Sequence, residues 1–391
     1  MSAHVLIVGG GIGGLAAALA VVRHGHRVTV LERHPQFTEL GAGIQLAPNA
    51  FEALDQLGVG DEVRRRAVFI DELRLMDGTT GKPVAAMPLT DRYRQRFGNP
   101  YVVVHRNDLY RPLLAACGGV AGVQLRAGAA VTGYGQDEAG VTARLETGEE
   151  LRGDVLIGAD GIRSVVRRQL IGDGEPLVSG HTIYRSLIPM RLVPDELRWN
   201  TVTLWAGPRW HFVHYPVSEG ELLNLAAVRD DGATEAVVGR PTERRHVLGE
   251  FAQMSDVARQ LLELGAEWRS WVLCDRDPAP GWTDGRVTLL GDAAHPMLQY
   301  AAQGACMALE DAVRLGTVFA GACDDLPGRL ACYQAARLGR TARAQLTSRA
   351  MTGLYHPAGP DAWRRNEMLA GLTADQMYEK VAWLHGGPDG G

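Results

Sequence analysis

The chain opens on a short apolar run, Val5-Leu6-Ile7-Val8, that passes directly into Gly9-x-Gly11-x-x-Gly14 and then into an Ala-rich stretch from Leu15 to His24. A continuous apolar run of this length suits a strand buried on both faces, and the Ala-rich stretch suits a helix. A second strand, Arg27 to Leu31, follows at once, which predicts a βαβ unit with Glu32 at the C-terminal end of its second strand. In such a unit the missing Cβ atoms let a pyrophosphate approach the backbone, and the helix N-terminus presents free N–H donors. Glu32, 18 residues after Gly14, stands where a carboxylate accepts hydrogen bonds from a ribose. Gly9, Gly11, Gly14 and Glu32 are therefore expected to bind a dinucleotide, the plain alternative being a tight turn with no ligand.

The same segment, Val5 to Val22, runs 18 residues without a formal charge, the length of a short membrane span. Five of those residues are glycine, no Lys or Arg precedes them, and a strand-like run follows, so the expectation is strand, turn and helix with no integral membrane segment. The formal charge of −5, from 45 acidic and 40 basic side chains, gives no field for a polyanion and excludes nucleic acid as the expected partner. Cys117, Cys274, Cys306, Cys323 and Cys332 show no CxxC or Cys/His spacing, which predicts reduced thiols in a cytoplasmic protein and no metal site.

The 391 residues allow two or three lobes. A helical pattern spans Asn49 to Arg66, and Phe69 to Met87 reads as short strands around a DGTTGK turn. Residues 101–117 return to strand and helix, 123–155 read as a β-meander, and 181–228 are strand-like ahead of helix near 242–264. Val287 to Leu290 is another buried-strand run, followed by GDAAHP and a helix from about Ala305 to Val318. This order predicts an α/β chain. A discontinuous Rossmann-like cofactor domain occupies 1–70, 100–180 and 270–340, an antiparallel β-sheet substrate domain occupies 71–99 and 181–269, and a C-terminal helical segment covers 341–391. The closing HGGPDGG is expected to fray.

Two further strands end in chemistry-bearing residues. Val155-Leu-Ile157 leads into Gly158-Ala-Asp160-Gly161-Ile-Arg163-Ser164 with Arg167 beyond, where Asp and spaced arginines suit a ribose and pyrophosphate, although Asp-Gly by itself is more often a turn. Leu290-Gly291-Asp292-Ala-Ala-His295-Pro296 places an aspartate for a sugar-like hydroxyl ahead of a helix N-terminus.

The order and spacing of these three motifs resemble the single-component FAD-dependent aromatic hydroxylases of the para-hydroxybenzoate hydroxylase type, over about residues 3–340. The resemblance implies FAD held by Gly9, Gly11, Gly14, Glu32, Arg33, Gln45, Arg106, Asp160, Arg163, Gly291 and Asp292. It also implies NADH or NADPH as reductant, O2 as co-substrate, an oxygenated flavin (the C4a-hydroperoxide) as oxidant, and leaves a homodimer open. Only one dinucleotide fingerprint is present, as in that family, where NAD(P)H reduces a mobile flavin and leaves.

Electrophilic hydroxylation is faster on a phenolate than on a phenol, and phenols ionise near pH 10, so such a site needs a base or a proton relay. In Trp210-His211-Phe212-Val213-His214-Tyr215, strand geometry puts His211, Val213 and Tyr215 on one face and Phe212 and His214 on the other. An aromatic strand with both histidines bonded to backbone is the plain alternative. His211, Tyr215 and Gln299 resemble the pocket of 3-hydroxybenzoate 6-hydroxylases, which make gentisate, and the resemblance gives His211 the role of base, with Tyr215 and Gln299 orienting a small aromatic acid. His214 is the reserve base. Gln299 stands where most relatives carry proline, which favours that subgroup over salicylate 1-hydroxylases, and Ala302 replaces a loop glycine. His295 and Pro296 are assigned to loop geometry, Arg92-Tyr93-Arg94 to a solvated charge run, and Met307 and Leu309 to helix packing.

The expected reaction is para-hydroxylation of 3-hydroxybenzoate with NADH and O2. Salicylate or 6-hydroxynicotinate hydroxylation, an alkene-reducing flavoprotein and a nucleotide-binding regulator without turnover are the alternatives.

Overall fold

The computed structural model describes residues 2–38, 41–321 and 324–387. Strand His4–Val8, helix Ile12–Val22 and strand Arg27–Leu31 form the expected βαβ unit, with Val5 opposite Val28 in parallel register. They sit in a six-stranded sheet ordered 283–284, 287–289, 155–158, 4–8, 27–31 and 123–126, parallel except for the first pair. Helix Ile12–Val22 is apolar on every side, and its residues other than Gly13 are all buried, because it lies against helices Gly304–Val318 and Arg106–Gly119 as well as this sheet.

An eight-stranded sheet orders residues 240–242, 268–275, 177–189, 222–230, 210–217, 201–207, 72–77 and 83–88. It was expected to be antiparallel, but strands Thr201–Gly207 and Glu72–Asp77 pair in parallel, Thr201 opposite Glu72. These two strands come from separate passes of the chain, so no hairpin fixes their relative direction. One face buries Trp205, Trp210 and Phe212 against helices Arg244–Glu250 and Asp256–Glu263, and Tyr215 on the other face joins the core of the six-stranded sheet. Strand Trp268–Asp275 belongs to this sheet and crosses the expected division at 270; helix Leu326–Tyr355 runs through the one at 340.

Several local expectations change. Strand Val123–Arg126 pairs in parallel with Arg27–Leu31, leaving a meander of 131–137, 140–145 and 150–153. The helix over 49–66 divides at Gly58, whose φ is 68°, into Pro48–Gln56 and Gly60–Arg66. Tyr93 is not part of a solvated run. Its side chain is fully buried with its hydroxyl 2.8 Å from His385 Nδ1, while Arg92 and Arg96 pair with Asp375 and Glu379 of helix Ala374–His385. This segment docks the C-terminal helix. The last four residues of HGGPDGG lie outside the described residues, as does Cys323; the four described cysteines are free. No helix among the described residues is long and apolar enough to cross a membrane.

A buried ionic network holds helix Gly304–Val318 in place. Arg337 donates to Asp311 and to Glu310, each at 2.6 Å, and Arg340 and Asn49 complete the shell of Glu310 at 2.7 and 2.6 Å. Asp311 also meets His295 Nε2 at 2.5 Å and accepts from the Gly291 N–H at 3.0 Å. Burial alone would raise the Asp311 carboxyl, yet His295 and Arg337 hold it well below the ordinary carboxylate range. Replacing Arg337 by Met leaves two buried carboxylates short of a cation, so the variant should lose about 3–5 kcal/mol of stability in urea denaturation. An unchanged midpoint would contradict the role given to this network.

Candidate active site

Each glycine of the first turn does a different job. A Cβ on Gly9, whose φ is 109°, would collide with the carbonyl oxygen of Ala159, and one on Gly14 would collide with the carbonyl oxygen of Gly9. Gly9 thus lets the turn lie against the loop after strand Val155–Gly158, and Gly14 lets the helix start close against the Gly9 carbonyl. A Cβ on Gly11 would meet nothing within 4 Å, so this residue leaves open space in front of the helix it caps, and no side chain caps that helix end by hydrogen bond. Glu32 ties the end of its strand to the turn, accepting from the N–H groups of Gly10 at 2.8 Å and His34 at 2.9 Å. Arg33 is exposed beside it. Gln45, on strand Gly43–Leu46, accepts from the Tyr101 hydroxyl at 2.7 Å, and Arg106 heads helix Arg106–Gly119 with its N–H on the Ala42 carbonyl at 3.0 Å.

Asp160 caps helix Val165–Leu170, accepting from the Ser164 hydroxyl and from the Val165 N–H at 2.7 Å; burial nevertheless raises its pKa. Arg163 is exposed. Arg167, expected among arginines facing a phosphate, is instead fully buried. It donates to the carbonyls of Ala293 and Ala294 at 3.0 and 2.6 Å and pairs with Asp173, tying the Asp160 loop to the Asp292 loop. Asp292 is exposed and makes no hydrogen bond to another described residue, while the preceding Gly291 takes φ 60°. His295 belongs to the ionic network, and the Pro296 carbonyl accepts from Gln345 at 3.0 Å. Ala302 adopts the left-handed φ of 53° that glycine takes without penalty. Open backbone at Gly11, an uncapped helix end and a free carboxylate at Asp292 suit a ligand that carries a pyrophosphate and a polyol chain.

Strand Trp210–Val217 presents its two faces as expected. His214 is removed from the site: it packs with Trp199 and Trp205 on the far face, its Nε2 has no partner, and burial, with Arg74 adding to it, pushes its pKa down to about 3. His211 is 2% exposed, with Nδ1 placed 2.8 Å from Nε2 of His356 and its ring against Tyr300 and Tyr355. Its polar partner is thus a side chain and not the backbone. Burial, then His356 and His181, hold it well below the usual imidazole pKa, so it is neutral at pH 7. Tyr215 packs its ring on Gly43, where a Cβ would collide with it, and burial raises its hydroxyl to about 12 against the pull of Arg185. Four residues of strand separate the His211 and Tyr215 backbones by about 13 Å, with Val213 between them on the same face.

Gln299 accepts a hydrogen bond from Arg185, on strand Leu177–Pro189. Arg185 is the residue sequence analysis missed. Burial lowers its pKa, with Tyr215 opposing this and the positive charge of Arg106 adding to it, so an anion beside Arg185 would be stabilised. Its signal was a lone charge within the otherwise apolar and polar-neutral run Ile183-Tyr-Arg-Ser-Leu-Ile188. A cavity of about 640 Å³ lined by Arg74, Trp199 and Met377 lies against the C-terminal helices and contains none of these groups. Among the described residues, His181, Asp230 and His356 are the one set with ligating atoms close together, all within 4.8 Å of one another.

Residues 2–348 match the family described as FAD binding domain. The chain is 48% identical to a 3-hydroxybenzoate 6-hydroxylase of Aquipseudomonas alcaligenes, covering 99% of this chain and 98% of that protein. It is 44% identical to a 3-hydroxybenzoate 6-hydroxylase of Polaromonas naphthalenivorans strain CJ2, covering 98% and 95%. Among solved structures it is similar to a salicylate hydroxylase in complex with substrate, with a TM-score of 0.84 and 26% identity over 98% of this chain and 95% of that one.

The turn geometry separates two glycine variants. Gly11→Ala should keep the stability of the flavin-free protein within about 1 kcal/mol, since its methyl points into open space, and lose flavin on gel filtration. Gly14→Ala should lose both stability and flavin. Equal behaviour of the two in thermal melts and flavin absorbance would contradict this assignment.

Proposed function

This chain belongs to the single-component FAD-dependent aromatic hydroxylases, and on that premise we propose that it converts 3-hydroxybenzoate to 2,5-dihydroxybenzoate with NADH and O2. Identity above 40% to two 3-hydroxybenzoate 6-hydroxylases along nearly their whole length supports the substrate. The observation that carries the reading is a neutral, buried imidazole at His211 on the same sheet face as Arg185, whose guanidinium donates to Gln299.

FAD would be held at its pyrophosphate by the turn Gly9, Gly11 and Gly14, at its adenosine ribose by Glu32 with Arg33 alongside, and along its polyol chain by Gly291 and Asp292. Gln45, Arg106, Asp160 and Arg163 would contact the same cofactor. When bound, the flavin supplies the hydride acceptor and the means of activating O2. The remaining work falls to this chain's side chains. Arg185 and Gln299 hold the substrate carboxylate, with Arg106 adding positive charge. Tyr215 closes the pocket beside the ring. His211 engages the phenol at Nε2, the nitrogen not committed to His356. Because the imidazole starts neutral, it accepts a proton instead of donating one. The bulk of Tyr300 and Tyr355 around it keeps bulk water from the ring. Free thiols at all four described cysteines support a cytoplasmic location.

His211→Ala should retain FAD and lower product formation by about 100-fold or more, the usual share of a general base. Undiminished coupled turnover would contradict the role. Arg185→Met should raise KM for 3-hydroxybenzoate about tenfold or more, as expected for loss of a charge-assisted hydrogen bond, and should change KM far less for the uncharged 3-hydroxybenzamide. Equal effects on acid and amide would place the carboxylate elsewhere.

A further inference from the structure

A proton taken up by His211 has to go somewhere. The imidazole is 2% exposed, and its one polar protein partner is His356, at the C-terminal end of helix Leu326–Tyr355. His356 is itself buried, with Nε2 on His211 and with Nδ1 lacking any protein hydrogen bond. Ligating atoms of His356, Asp230 and His181 lie within 4.8 Å of one another, a span that a single water closes. Asp230 ends strand Leu222–Asp230 and is 30% exposed, so it meets solvent.

We propose that His356 and Asp230 form the proton exit of this site, carrying the phenol proton from His211 to bulk water. The proposal rests on the substrate reading above. In this path the phenol O–H bond breaks as the His211 Nε2–H bond forms, and His211 passes its Nδ1 proton to His356 Nε2. His356 then passes its Nδ1 proton to the Asp230 carboxylate and on to water. One proton leaves, no electron moves, and the path runs in reverse when the product phenol is reprotonated. His356 and Asp230 touch neither substrate nor cofactor; they are positioning and relay groups.

Energetics require an exit of this kind. A phenol ionises near pH 10 and His211 lies well below 6.5, so a proton resting on His211 is disfavoured more than a thousandfold relative to one left on the phenol. With release to a solvent near pH 8, ionisation of a phenol with a pKa near 10 is disfavoured only about a hundredfold, and the positive charge of Arg185 and Arg106 narrows the remainder. His356 is suited to passing a proton on without keeping it, since burial and His181 lower it to about 4 while Asp230 opposes them. The groups facing it are His211 on its own side, His181 from strand Leu177–Pro189, and Arg229 and Asp230 from strand Leu222–Asp230. Arg209 also faces it, pairing with Asp230 and donating its N–H to the His356 carbonyl. His181 is fixed by the Tyr300 hydroxyl at 2.6 Å, which keeps it beside the path as a tuning group.

The test mixes FAD-loaded protein with 3-hydroxybenzoate, without NADH, in weakly buffered solution containing a pH indicator, and follows proton release by stopped flow. Wild-type protein should release a proton in a fast phase, and His211→Ala should lose that phase. His356→Gln, which keeps a hydrogen-bonding side chain but cannot carry a proton between two nitrogens, should slow release at least about tenfold, with partial recovery on adding imidazole. Asp230→Asn, at a partly exposed position, provides a second variant if His356→Gln folds poorly, and should shift the pH dependence of release. Wild-type rates and pH profiles in both variants would overturn the proposal, since a purely structural cap would change melting temperature and leave proton release untouched. Binding of 3-hydroxybenzoate by the wild type with no proton released would instead contradict the substrate reading beneath it.

Discussion

Close approach at Gly9 is the contact on which the arrangement depends. Only because no side chain stands there can the first turn lie against the Ala159 carbonyl, which brings the loops after strands His4–Val8 and Val155–Gly158 together at one edge of the sheet. Strand Val287–Leu289 pairs on the other side of Val155–Gly158, so the Asp292 loop emerges at the same edge. Three loops far apart in sequence thereby share one crevice, as expected where parallel strands end at a switch in strand order. Arg167 then ties two of these loops together, and the Asp311–Arg337–Glu310 network fixes the helix that follows the third.

The eight-stranded sheet supplies the other wall. Its strands alternate strictly enough that one face carries tryptophans into a helix-covered core while the other carries His211, Tyr215 and Arg185 toward the crevice. The chemistry divides along that wall. At one end a cationic pair suits a carboxylate; at the other, neutral histidines suit a hydroxyl whose proton has to be removed. A ring that bears both a carboxylate and a hydroxyl answers to both ends, which connects this chemistry to the proposed substrate.

What the sequence made legible was local. Gly9, Gly11 and Gly14 sit between a strand and a helix that are adjacent in the chain, and the alternation of His211 and Tyr215 follows from strand geometry over five residues. The parts that escaped depend on contacts between distant segments. Arg185 meets Gln299 across 114 residues and His211 meets His356 across 145, and no spacing rule reaches that far. Arg167 misled because an arginine near a presumed phosphate site reads the same whether it faces outward or, as here, serves as a buried tie between loops. The parallel junction of strands 72–77 and 201–207 escaped for a similar reason: it joins two passes of the chain whose direction no turn dictates.

The central claim is that a crevice built by three glycine-lined loops meets a sheet face arranged for a meta-hydroxylated benzoate. Product analysis by chromatography, after incubating FAD-loaded protein with NADH, air and 3-hydroxybenzoate beside a salicylate control, tests it most directly. 2,5-Dihydroxybenzoate should form in step with NADH oxidation, with no comparable product from salicylate. Catechol from salicylate, with 3-hydroxybenzoate unchanged, would contradict the roles given to His211, Arg185 and Gln299.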